Sequence, residues 1–365
     1  MKISVGLSGG VDSSVAAAVL KQQGHELTGV FLECYRTPGC RVDDDRKDAL
    51  EVALSLGIPF QVLDFKTRYK EKVLDLFFEE LSAGRTPNPD IACNREIKFG
   101  LFYDWALEQG FDAVATGHYA AVRQTDRGVW GLYRSADLKK DQTYFLYQVR
   151  QDQLSHMLFP LASMQKEEVR ALAEQLNLKT ASKPDSTGIC FIGEMDVKAF
   201  IRDRLGENRG EVVDTEGAII GEHDGLWFYT IGQRHGFRLL GKVRSQKGEW
   251  KHVIPPLYVI GKDVEKNRLI VGYGAEAMRD RFDIQDPYWI DQELVNSMFL
   301  ENSSGSAKDL LVRIRHGGQL YRCEIIQSNA HALEVRLKEK VRGVAPGQHA
   351  VLYEQDLCLG GGVLS

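Results

Sequence analysis

The run Ile3-Ser-Val-Gly-Leu7 leading into Ser8-Gly-Gly-Val-Asp-Ser-Ser14 decides how this chain is read. The short apolar run reads as a buried strand, the paired glycines as a turn, and Asp12 to Gln23 as the helix that the turn opens. Backbone N–H groups at a helix start have no intrahelical acceptor, and the helix dipole adds positive potential, so the volume in front of the turn suits an anion. Gly9 and Gly10 have no Cβ and let the main chain close on a phosphate oxygen, while Ser8, Ser13 and Ser14 add hydroxyl donors. Neither the Gly-Lys-Ser/Thr of a Walker loop nor the Gly-x-Gly-x-x-Gly of a dinucleotide fold is present.

Outward from this turn, apolar runs alternate with amphipathic ones. Strands are expected at Ile3 to Leu7, Leu27 to Leu32, Phe60 to Phe65 and Ala113 to Thr116. Helices are expected at Asp12 to Gln23, Asp44 to Leu56, Tyr69 to Leu81 and Arg95 to Gln109, with Gly24, Gly57 and Gly110 as helix stops. This alternation predicts an α/β fold with a doubly wound parallel sheet, whose ligand lies beyond the carboxyl ends of the strands. Ser8, Leu32 and Gly117 then surround one crevice, Leu32 against an adenine and Gly117 letting backbone approach the nucleotide.

The chain has 365 residues, long enough for two or three domains. Beyond about residue 205 the texture changes to short β-like runs at Glu211 to Val213, Trp227 to Ile231, Leu257 to Ile260 and Leu269 to Val271, a small β-rich module. Alternating runs at Leu310 to Ile314, Leu320 to Ile326, Ala332 to Leu337 and Ala350 to Tyr353 outline a C-terminal β-barrel. The expected domains are 1–205, 206–279 and 280–365. Hydrophobic residues make up 43% and charged residues 27%, enough apolar content for a sizeable core, and no apolar run approaches a membrane span. No signal sequence precedes the glycine turn, so a cytoplasmic location is expected. The six cysteines include no Cys-x-x-Cys pair, which argues against a zinc ribbon and against a disulfide framework.

Two cysteines have particular surroundings. Cys93 ends the rigid run Thr86-Pro-Asn-Pro-Asp-Ile-Ala-Cys93, just before the helix expected from Arg95, where a helix dipole would favour a thiolate. Asp90, three residues earlier, is placed to exchange protons with a substrate or the thiol. Cys190 lies in Asp185-Ser-Thr-Gly-Ile-Cys-Phe-Ile-Gly193. Cys34 and Cys40 flank a Pro-Gly turn and lack the further ligands of a zinc site.

The glycine turn resembles the loop of the ATP pyrophosphatases. Together with Thr86-Pro-Asn-Pro-Asp90, Ala115-Thr-Gly-His-Tyr119, Lys140-Asp-Gln-Thr-Tyr-Phe-Leu146, the Cys190 run, Thr230-Ile-Gly-Gln-Arg234 and the terminal Cys358-Leu-Gly-Gly-Gly362, it resembles the bacterial tRNA-specific 2-thiouridylases over nearly the whole chain. That resemblance implies ATP-dependent sulfur transfer to C2 of the wobble uridine through an O2-adenylate, with Mg as the companion of ATP. It implies ATP contacts from Gly6, Leu7, Ser8, Gly9, Gly10, Val11, Asp12, Ser13, Leu32 and Gly117. Asn88, Pro89 and Asp90 would meet the target base, Cys93 would be the nucleophile and Cys190 the persulfide carrier. Lys140, Asp141, Gln142, Arg315 and His316 match tRNA-contacting positions. Partners are then tRNA and a sulfur-donor protein, a cysteine desulfurase or a relay protein. An iron–sulfur cluster on Asp90, Cys93 and Cys190 is an alternative set aside, because a liganding Cys190 could not also be a free persulfide.

The net charge of −5 hides a basic run. Arg234, Arg238, Lys242, Arg244, Lys247 and Lys251 face one acid, Glu249, with His235, Phe237 and Trp250 interleaved, a pattern suited to phosphates and stacked bases. This run departs from the shorter segment usual in the family. Arg315-His316-Gly317 departs from its Arg-Tyr-Arg, which weakens one phosphate contact and one stack.

Overall fold

The computed structural model describes residues 1–36, 41–185, 196–240, 256–302, 310–329 and 331–365. Cys40, Cys190, residues 303–309, and the stretch 241–255 that carries Lys242, Arg244, Lys247, Glu249, Trp250 and Lys251 lie outside the described residues.

The first strand, Lys2–Gly6, runs parallel between Glu26–Glu33 and Ala113–Ala115, with Phe60–Asp64 and Met157–Leu158 at the two edges. Ile3 and Val5 are wholly buried because helices cover both faces of such a sheet. Helix Val11–Gln22 follows the glycine turn, and Val42–Ser55 follows the second strand. The expected helix from Arg95 instead starts six residues earlier. Pro89 takes the first helical position, where its fixed φ is already suitable and its missing N–H costs nothing. The helix then runs through Pro89–Cys93, a π-helical stretch Asn94–Leu101 and Phe102–Glu108 without a break.

A second sheet of five strands is built from Gly210–Val213, Ile219–His223, Arg238–Leu239, Tyr258–Asp263 and Arg268–Gly272. The strand expected at Trp227 to Ile231 is a short 3-10 turn, Leu226–Phe228. Leu226, Phe228 and Tyr229 are buried as a plug, while Trp227 Nε1 donates to Gly206 O, so this apolar run is consumed by packing rather than pairing.

The third sheet closes on itself. Six antiparallel strands, Met278–Trp289, Leu310–Arg313, Tyr321–Ser328, Ala332–Arg342, His349–Glu354 and Leu357–Leu364, form a barrel sealed by pairing of the first with the last. Its last strand carries Gly360, Gly361 and Gly362, at which a Cβ would stand 2.1, 2.1 and 2.5 Å from backbone oxygens of the neighbouring strands. Closure at this seam therefore requires glycine. The hairpin Ala120–Gln124 and Trp130–Arg134, distant in sequence, extends the same sheet through pairing of Leu132 and Tyr133 with Cys358 and Leu357.

Candidate active site

The turn of residues 7–10 sits at the carboxyl end of the first strand, where Leu7 N–H donates to Val30 O across to the second strand. Gly9 has φ +75°, and a Cβ there would stand 2.3 Å from Asp45 O; Gly10 forms the N-cap of helix Val11–Gln22. Hydroxyls stiffen the turn from inside. Ser8 N–H donates to Ser13 Oγ (3.1 Å), and Ser13 and Ser14 Oγ donate to Gly10 O (3.1 and 2.7 Å). Gly117 presses its backbone on the helix start, since a Cβ would lie 2.6 Å from Asp12 C and from Ser13 N. Gly6, Leu7, Val11 and Leu32 complete the walls, the last three buried.

Around this turn the chain has placed a set of charges that the motifs did not announce. Lys183 Nζ donates to Gly9 O (2.9 Å), Asp45 (2.6 Å) and Asp48 (2.7 Å), tying the turn to helix Val42–Ser55. Lys166, buried, bridges Asp12 (2.7 Å) and Asp185 (3.0 Å), and Tyr119 OH donates to Asp12 (3.0 Å). Asp185 also accepts from Lys140 Nζ (2.6 Å) and Arg170. Burial alone would raise the Asp185 carboxyl, yet the bonds from Lys140 and Lys166 outweigh it and hold the group below the ordinary carboxylate range. Asp12 thus shares a lysine with Asp185, the residue that opens the Cys190 run. Lys140 belongs to a motif and Lys183 lies two residues before one, but nothing in the sequence singled out Lys166.

Cys93 is fully buried in one core with Leu32, Cys34, Val30 and Ile97. It occupies the fifth position of the helix begun at Pro89, not its N-terminus, so a direct dipole effect is weaker than the sequence reading supposed. Asn88 is the N-cap, Asp90 is half-buried, and Asn88 Oδ1 is buried with no hydrogen-bond partner among the described residues. Behind this helix His118 bonds Thr116 Oγ1 (2.7 Å) and approaches Lys98 Nζ (3.4 Å); burial, then Lys98, keeps its ring neutral well below the usual histidine range.

The Lys140-Asp-Gln142 run divides its duties. Lys140 is exposed enough to reach solvent beyond its bond to Asp185. Asp141 is wholly buried, held by Arg313 of the barrel (2.7 Å) and by Thr143 Oγ1 (3.0 Å). Gln142 Oε1 accepts Tyr119 N–H (3.0 Å). Arg315 and His316 are exposed on the barrel, and the His316 ring lies 4.2 Å from that of Phe145, tilted by 31°. In the basic run, Arg238 is matched by Asp224 (2.9 Å) and Glu222 (3.9 Å), while Arg234 Nε meets His235 (2.8 Å). Among the described residues no three His, Cys, Asp or Glu side chains converge to hold a metal, and no helix is long and apolar enough to cross a membrane.

A parallel sheet with an anion-binding turn at the carboxyl end of its first strand, joined to a small β module and a closed barrel, defines a nucleotide-binding enzyme of the HUP type with two β appendages. Residues 1–194 match the tRNA methyl transferase HUP domain, 198–273 its PRC-barrel domain and 279–364 the aminomethyltransferase β-barrel domain. The tRNA-specific 2-thiouridylase MnmA of Lysinibacillus sphaericus is 40% identical over 100% of this chain and 94% of its own length; that of Neisseria gonorrhoeae is 43% identical over 99% and 95%. The chain belongs to the tRNA-specific 2-thiouridylase family and is a tRNA sulfurtransferase. Among solved structures, the U34-tRNA thiolase NcsA of Methanococcus maripaludis, with its 4Fe-4S cluster, aligns with a TM-score of 0.36 and 21% identity over 56% of this chain and 63% of its own.

Proposed function

We propose that the chain uses ATP to adenylate O2 of the tRNA wobble uridine and then places sulfur at C2, with Cys190 carrying the sulfur as a persulfide and Cys93 as the partner thiol. The observation that carries this reading is the turn at the first strand's end: its open main chain, helix start and Gly117 contact suit a triphosphate. Gly6 to Ser13, with Leu32 and Gly117, hold ATP in this proposal, and Asn88 to Asp90 hold the base. The unpaired Asn88 Oδ1 supports that role, since a buried acceptor wants a donor and uridine N3–H is one. Lys140 to Gln142, Arg315 and His316 dock the tRNA, Asp141 by anchoring Arg313 and its neighbours from within. The units 1–205, 206–279 and 280–365 are taken as nucleotide, central and tRNA-binding domains, with the hairpin at 120–134 reaching across to the barrel.

The bond changes balance as follows. Uridine O2 attacks the α-phosphorus and releases pyrophosphate, which turns a poor leaving group into AMP. In one route Cys93 thiolate attacks the inner sulfur of the Cys190 persulfide, freeing hydrosulfide that adds at C2 and expels AMP. In the other the terminal persulfide sulfur adds at C2 first and expels AMP, and Cys93 thiolate then attacks the inner sulfur, breaking the S–S bond to release the thiolated base. Each ends in a Cys93–Cys190 disulfide, which a dithiol reductant must reset. No step is routed through a cluster or a metal, because a Cys190 that ligated one could not also carry the free persulfide.

Incubation with unmodified tRNA, ATP and a sulfide or persulfide donor, followed by mass analysis of nucleosides, tests the reading. 2-Thiouridine is expected from the parent, none from Cys93→Ser or Cys190→Ser, and no further loss in the double variant, as residues acting as one unit behave. Substantial product from Cys190→Ser would show that sulfur arrives by another path.

A further inference from the structure

We propose that a cavity of about 420 Å³ between the loop at 83–86, the central sheet and the barrel is a phosphate subsite that holds a backbone phosphate of the bound tRNA. This rests on the reading of the chain as a tRNA enzyme. The cavity's wall includes Arg85 and Thr86 from the loop leading to Asn88, Ile231 and Lys262 from the central sheet, and Arg279 and Arg281 from the barrel. No Asp or Glu side chain lines it among the described residues; Ser365 does, its N–H bonded to Asp283 O.

The four cations are not equivalent. Arg85 is committed to Glu80 through two bonds of 2.6 Å, and Arg281 stands 3.5 Å from Glu334. Among the described residues Arg279 reaches only the carbonyls of Glu276 and Met278 (2.7 and 3.0 Å), which leave its charge unneutralised. Lys262 Nζ is buried and has no hydrogen-bond partner among the described residues. An ammonium in that state is costly unless an anion joins it, and burial alone draws Lys262 down to about 8. A phosphate in the cavity, met by a swing of the flexible lysine tail, supplies both the missing acceptor and the missing charge.

The surroundings favour a phosphate on RNA over a free one. Ile231 belongs to Thr230-Ile-Gly-Gln-Arg234, and Gly232 of that run packs on Gly343, where a Cβ would stand 3.0 Å away. A Cβ on Gly343 would in turn stand 3.3 Å from Arg315 Nη1. Cavity, base loop and Arg315 therefore adjoin, and a nucleotide docked at Asn88 would place neighbouring phosphates within their reach. This gives the Thr230–Arg234 run a use: it shapes the cavity rather than touching the reacting base.

The test uses the full chain, with tRNA affinity measured from low to moderate salt for the parent, Lys262→Met, Arg279→Gln and Lys140→Ala. Lys262→Met and Arg279→Gln are each expected to weaken tRNA binding several-fold and to reduce the salt slope by about one, with ATP affinity unchanged. Lys262→Arg, which keeps the charge, is expected to restore most of it, and retained melting temperatures exclude misfolding. A normal slope in Lys262→Met alongside a reduced one in Lys140→Ala overturns the subsite alone. Unchanged slopes in every variant overturn the docking reading with it. If instead inorganic pyrophosphate binds the parent and not Lys262→Met while tRNA affinity is unaltered, the site serves a free anion and the assignment to RNA fails.

Discussion

At the scale of single residues, two glycines and two thiols make the sharpest statements. Gly117 faces backbone atoms of Asp12 and Ser13 at 2.6 Å, and backbone cannot swing aside as a flexible side chain can. Gly117→Ala must therefore displace the start of the phosphate-facing helix, and ATP affinity is expected to fall at least tenfold by calorimetry. Gly110→Ala is the control: its φ of +75° is strained for alanine but nothing stands within 4 Å, so stability drops by about 1 kcal/mol with nucleotide affinity intact. For the thiols, burial pushes Cys323 up to about 12 and Cys358 still higher, whereas a thiolate is the alkylated species. Iodoacetamide at pH 8 should leave both unmodified in the folded protein; rapid labelling of either, read by mass spectrometry, would contradict their burial.

At the scale of elements, the contact between the run at 140–149 and the barrel carries a pH dependence. Tyr147 OH bonds His349 Nδ1 (2.7 Å), and Tyr144 OH donates to His349 O (3.0 Å). Burial, then Arg95, lowers His349 from about 6.5 to about 4. The unfolded chain therefore takes up the proton first as pH falls. Stability should be full above about pH 6.5, decline from there to about pH 4, and gain no further loss from this group below that. Urea midpoints across that window should show the decline, and His349→Gln should flatten it; an unchanged slope would mean that other groups, His118 among them, account for it. The inner strands Lys2–Gly6, Glu26–Glu33 and Ala113–Ala115 were legible because burial on both faces demands apolar runs, whereas the two-residue edge strand Met157–Leu158 is too short to carry a pattern and was not read. The helix start at Pro89 was not read, although the proline signal was present, and the Leu226–Phe228 turn was misread because an apolar run does not say whether it will pair or plug.

At the scale of the whole molecule, Arg313 and Asp141 join the barrel to the loop before helix Thr143–Leu146 across 172 positions of sequence, with side-chain exposures of 5% and 0%. Removing one partner leaves a buried charge uncompensated, so Arg313→Met or Asp141→Asn is expected to cost about 3–5 kcal/mol, whereas Arg313→Met with Asp141→Leu should lose much less. Additive losses in denaturant titrations would show that the pair is not coupled. The same junction explains why the barrel holds Arg315 and His316 in a fixed relation to Lys140.

Local chemistry was enough for the parts that depend on near neighbours. An apolar run, a glycine turn and a helix start are consecutive in the chain, so the anion-suited turn, the parallel sheet and the two β-rich regions could be read from sequence alone. Only the tertiary structure decided which distant charges meet: Lys183 on Gly9, Lys166 between Asp12 and Asp185, Arg313 on Asp141, and Lys262 left without a partner among the described residues. It also decided that the hairpin at 120–134 would extend the barrel and that three consecutive glycines would seal it. Electrostatic and steric partners are chosen by distance in space, and a surface lysine or a glycine carries no periodicity that tells which remote backbone or carboxylate the fold will bring to it.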